Sequence, residues 1–123
     1  MTATGVASVW DHVVGQPRAV RLLTDAARNP VHAYLLIGPS GSTKHEAARA
    51  FAALLLAGED DPEQRDARLA LVGAHPDVRE VERVAARISR DQILEIIRVA
   101  NLAPVESARK VMIFHEFHLL EAE

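Results

Sequence analysis

Gly38, Pro39, Ser40, Gly41, Ser42, Thr43, Lys44 and His45 combine glycines, hydroxyls and a lysine at a spacing suited to holding phosphate. They follow an apolar run, Leu35-Leu36-Ile37, and precede an Ala- and Leu-rich stretch, Glu46 to Leu56. Strand, Gly-rich turn, helix is the layout of a phosphate-binding loop, G-x-x-x-x-G-K-[ST], in which backbone N–H groups and a lysine hold phosphate oxygens. Gly38, Pro39, Gly41 and Lys44 fit the pattern, whereas Thr43 stands where it has its second glycine and His45 where it has Ser or Thr.

Each departure has a physical consequence. Glycine before the lysine lets the backbone curl around phosphate at positive φ, which strains a β-branched threonine. The hydroxyl after the lysine serves Mg²⁺, and an imidazole does not replace it. The loop is expected to keep its shape and the charge of Lys44 while nucleotide binding is weakened. An ordinary Gly-Pro-Ser-Gly turn between strand and helix is the plainer reading.

The elements that must position these residues follow from periodicity. His32 to Ile37 is a continuous apolar strand, of the kind buried on both faces of a parallel sheet. Lys44 to Leu56 is a largely buried helix ended by Gly58, with Ala47, Ala48, Phe51, Ala52, Leu54 and Leu55 around most of it. Upstream, Pro17 opens a helix over 18–27 with Ala19, Leu22, Leu23 and Ala26 on one face. Trp10 and Val14 read as core packing or as an apolar clamp beside a base. Downstream, 59–66 reads as an acidic solvated loop, 67–72 as a short helix, His75-Pro76-Asp77 as a turn and 78–82 as an alternating strand. A capped helix starts at Ser89 with Ile93, Ile96, Ile97 and Ala100 on one face, Pro104 ends it, and a buried strand begins at Val111. The alternation gives a three-layer α/β fold with a mostly parallel sheet. His12, His32 and His75 sit beside turns and strand edges and have little case for function.

That last strand ends in His115-Glu116, where phosphate-loop proteins have an acid that helps hold Mg²⁺. Both halves of the magnesium site therefore carry a histidine in place of an oxygen ligand. An alternative is a Zn²⁺ site built from His45, His115 and Glu116, with His118 nearby.

Composition narrows the remaining classes. The chain has 123 residues, a net charge of −3, no cysteine and 4% aromatics. These disfavour a thiolate metal site, a disulfide scaffold, a basic nucleic-acid groove and a base-stacking platform. No signal peptide or membrane span is legible, and the expected location is the cytoplasm.

Several motifs in order resemble a known family. Val13-Val14-Gly15-Gln16, His32 to Gly41, His75-Pro76-Asp77-Val78, Asp91-Gln92-Ile93 and Pro104 to Val111 are similar to the N-terminal AAA+ region of the delta-prime subunit of the bacterial DNA polymerase III clamp loader. The resemblance runs from about Trp10 to Leu120. It implies a P-loop NTPase (AAA+) fold, with 1–8 a flexible tail and 9–123 the N-terminal part of that domain. It also implies a largely non-hydrolysing structural subunit in a five-membered ring with delta and tau/gamma subunits, which loads the sliding clamp on primed DNA. No residue is expected to be catalytic, and His115 and Glu116 form a degenerate Walker B end. Val13, Val14 and residues 38–45 would contact weakly bound ATP or ADP. An active ATPase and the histidine metal domain are the alternatives. The family's zinc module needs cysteines that 59–74 lacks. Its arginine finger, sensors and lid fall beyond residue 123, as do the strands flanking the P-loop strand. The chain is therefore expected to be a fragment of low stability with exposed sheet edges.

Overall fold

The computed structural model describes residues 7–31, 34, 36, 42–82, 90–107 and 109–115. The chain divides into two compact units, Met1–His75 and Pro76–Glu123. The expected strand over 32–37 lies almost wholly outside the described residues, as do Gly38, Pro39, Ser40, Gly41 and Glu116.

The first unit contains three helices among its described residues: α1 (Pro17–Ala26), α2 (Lys44–Ala57) and α3 (Arg65–Leu71). Proline opens α1, where its missing N–H would have had no partner. Only Leu23 of α1 is buried; Leu22, expected on the inner face, is 59% exposed. The helix lies only lightly on α2. The heart of the unit is α2 against α3. Ala50, Ala52, Ala53, Ala67 and Ala70 are completely buried, and such small side chains let helix axes approach closely. Phe51 meets Tyr34 edge to face with ring centroids 4.9 Å apart. Gly58 ends α2 at φ 76, the left-handed cap that glycine adopts without strain.

The segment 59–66, expected as a solvated loop, ties the unit together. Asp60 accepts from the Ser8 hydroxyl and the Val9 N–H, both at 2.7 Å. Ser8, assigned to the tail from sequence, is thus fastened to the body. Asp61 accepts from Glu63 N–H at 3.0 Å. Gln64 caps α3, its Oε1 taking the Asp66 and Ala67 N–H groups at 2.7 and 3.3 Å. The helix accordingly starts at Arg65, two residues before the expected start. Asp66 then reaches His75, whose side chain is wholly buried, at 2.9 Å.

The second unit is a β–α–β arrangement: β1 (Val78–Glu82), α4 (Arg90–Ala100) and β2 (Val111–His115). The strands pair in parallel, Val78 with Val111 through Glu82 with His115. A parallel pair needs a crossover, and α4 lies in it. Helix α4 packs differently from the expectation. Val99 is buried and Ile96 half-buried, whereas Ile93 and Ile97 are 47% and 51% exposed and Ala100 is exposed. The packed stripe is Gln92, Ile96 and Val99, one position round from the predicted one. These three residues and Arg79, Val81 and Met112 of the strands line a cavity of about 210 Å³. Strand β2 also alternates rather than being buried throughout: Ile113 and His115 are buried and Phe114 is 42% exposed.

The link from α4 to β2 is fixed by two charged side chains. Lys110 Nζ donates to the Val99 carbonyl at 2.5 Å and to the Leu102 carbonyl, closing the orphaned C-terminus of the helix. The helix therefore stops at Ala100, four residues before Pro104. Asp77, 2% exposed, accepts the N–H groups of Val105, Glu106 and Ser107, the last two at 2.9 and 2.8 Å. Its own carbonyl takes the Val111 N–H at 2.9 Å, where β2 begins. On the outer face of α4, Arg98 donates twice to Glu95, at 2.6 and 3.0 Å. Those hydrogen bonds hold the Glu95 carboxyl below its ordinary pKa and raise that of Arg98. Any stability from Glu95 is present above the carboxylate range and lost in acid, and solvent and salt screening of this surface pair keeps it small.

Candidate functional site

The head of α2 is the described part of the expected phosphate loop. Thr43, the residue before Lys44, has φ 60 and ψ 24, and is the only non-glycine with positive φ among the described residues. The conformation belongs to the glycine of the loop pattern, and the β-branched threonine adopts it under strain. The Ala47 N–H closes the first helical bond on the Thr43 carbonyl at 2.9 Å. Lys44 is the first residue of α2 and is half-buried; His45 follows it, exposed. Ser42 is half-buried, its Oγ enclosed and without a hydrogen-bond partner.

The Val13-Val14-Gly15-Gln16 box lies against this turn. Gln16 Nε2 donates to the Ser42 carbonyl at 3.1 Å, and Thr43 Oγ1 lies 3.4 Å from the Val14 carbonyl. Val13 is buried, with Val9 and Trp10, in the core of the unit. Val14 is 70% exposed, which corrects its reading as core and leaves its side chain open to a ligand. The structure thus brings Val14, Gln16, Ser42 and Thr43 together.

His115 belongs to the second unit, at the end of β2. It is 7% exposed, and its Nε2 lies 2.8 Å from Glu80 Oε1 on the neighbouring strand. Glu80, three residues after Asp77, went unremarked in the sequence because an alternating edge strand accounts for it. Asp77 itself was read only as part of a turn. Its local signal is weak: a single acid between Pro76 and an apolar strand start, whose partners lie 28–30 residues away.

The chain belongs to the family described as DNA polymerase III, delta subunit, whose model matches residues 15–123. No curated protein and no solved structure matches it. The family is one of clamp-loader subunits, and it gives this chain a role in DNA replication within that complex, alongside other subunits. No helix among the described residues is long and apolar enough to cross a membrane.

Proposed function

We propose that the chain is a delta-prime-like structural subunit of the clamp loader. It takes an AAA+ P-loop shape without turning over ATP. It stands in a cytoplasmic hetero-oligomeric ring with delta and tau/gamma subunits, and reaches the sliding clamp and primed DNA through the complex. The observation that carries this reading is His115. At the strand end where the resemblance calls for a magnesium-holding acid, an imidazole is buried and engaged with Glu80 at 2.8 Å. Mg²⁺ takes hard oxygen ligands in octahedral geometry, and a histidine bonded to its neighbour strand offers none. In the loop before α2, His45 stands where the pattern has a hydroxyl, and Thr43 puts a Cβ where glycine would let phosphate approach. Lys44 and Ser42, with Gly38 and Gly41, remain for a weak contact with ATP or ADP.

Phosphate release tests this reading. The protein is expected to release no Mg²⁺-dependent phosphate from ATP above the level of a Lys44→Ala variant, with or without primed DNA. Steady turnover abolished by Lys44→Ala would replace this reading with that of an active ATPase.

A further inference from the structure

Strain at Thr43 calls for surroundings that hold it, since a β-branched residue in the left-handed region persists only where its neighbours over-determine the backbone. Those surroundings are polar. The Ser42 carbonyl accepts from Thr43 Oγ1 at 2.6 Å and from Gln16 Nε2 at 3.1 Å, which fills both of its lone pairs. The same Thr43 oxygen lies 3.4 Å from the Val14 carbonyl. Gln16 is the N-cap of α1 and Thr43 the N-cap of α2, yet neither side chain caps its own helix. Both are turned instead to the junction between the two helix starts.

We propose that Gln16 latches the start of α1 to the start of α2 through the Ser42 carbonyl, which Thr43 Oγ1 holds in place by its own hydrogen bond, with no nucleotide present. The glycine of the loop pattern has no hydroxyl, so the substitution that departs from a nucleotide site also supplies that hold. This rests on the reading of a non-hydrolysing subunit. A protein that does not cycle nucleotide needs the junction ordered at all times, whereas an ATPase gains by letting the nucleotide order it.

Hydrogen exchange of the amides over 42–48 in the full chain tests the latch, with α3 as internal reference. Gln16→Ala and Thr43→Val are expected to exchange roughly threefold to tenfold faster over 42–48 and unchanged in α3. Thr43→Val keeps the β-branch and the strain but lacks the hydroxyl. Thr43→Ser keeps the hydroxyl and is expected to stay within about twofold of the parent. Unchanged exchange in both Gln16→Ala and Thr43→Val overturns the proposal. If Gln16→Ala loosens α3 as well, the contrast between Thr43→Val and Thr43→Ser decides alone, and equal rates in those two overturn it. MgADP added to the parent protein is a separate arm. No change agrees with the proposed function. Slowing that saturates at low micromolar MgADP contradicts the weak contact of that function, and the latch is decided by the variants in either case.

Discussion

Asp77→Ala is expected to lower folding stability by about 3–5 kcal/mol, a large share of what a small domain has. The carboxylate is almost fully enclosed and accepts three successive backbone N–H groups, from Val105, Glu106 and Ser107. Hydrogen bonds to a charged acceptor are worth more than neutral ones, and deletion strands buried donors that water reaches poorly. The effect also spreads, because the Asp77 carbonyl anchors Val111 at the start of β2. Loosening 104–107 therefore loosens the strand entry and, through Lys110, the end of α4. Asp77→Asn keeps one oxygen and loses the charge, and is expected to cost about 1–3 kcal/mol. Urea titration followed by circular dichroism measures both. A loss below about 1 kcal/mol for Asp77→Ala would show that the three bonds are replaced by solvent at no cost.

His115→Asp is expected to cost about 2–4 kcal/mol at neutral pH, although it supplies the acid that the proposed resemblance expects there. The substitution exchanges a histidine–carboxylate contact of 2.8 Å for two carboxylates two register positions apart on the same face of β1 and β2, in a buried setting. Burial and the neighbouring like charge both disfavour a second ionised carboxylate there, so the folded protein retains a proton that the unfolded chain gives up. A carboxyl whose folded pKa is raised contributes stability in acid and loses it as pH rises through the folded value. The variant should therefore be most stable in mild acid and weaken toward neutrality. Adding Glu80→Gln should recover most of the loss, because it removes the second charge. Thermal melts of the single and double variants between mild acid and neutral pH measure this. A single variant as stable as the parent at neutral pH would place Glu80 away from His115.

Both predictions rest on long-range contacts, the part of the structure least legible from sequence. Strand β1 matches its expected range, and α2 starts at the expected Lys44 and ends at Ala57, one residue beyond, because alternation, apolar density and a glycine cap are local signals. The positive φ of Thr43 was legible as well, since the loop pattern demands it and the residue type makes it costly. The packed face of α4 was not. Ile93, Leu94, Ile96, Ile97 and Val99 form an apolar stripe too broad to define one direction, and of these Ile96 and Val99 line the cavity shared with β1 and β2. Core packing and an open apolar side chain were both compatible with Val14, because an apolar residue beside a buried one carries no sign of which points inward. The acids between 59 and 66 looked like a solvated run. Charge alone did not show that Asp60 would hold Ser8 and Val9, or that Asp66 would meet a buried His75.

The most direct test of the central claim is calorimetry of MgATP and MgADP binding to the purified protein, beside a Thr43→Gly, His45→Thr, His115→Asp variant verified as folded by circular dichroism. A decayed nucleotide site predicts weak or undetectable heat for the protein and saturable, Mg²⁺-dependent binding for the variant. Tight Mg²⁺-dependent ATP binding by the unaltered protein would contradict the account, because Thr43, His45 and the His115–Glu80 contact would then be compatible with a working site.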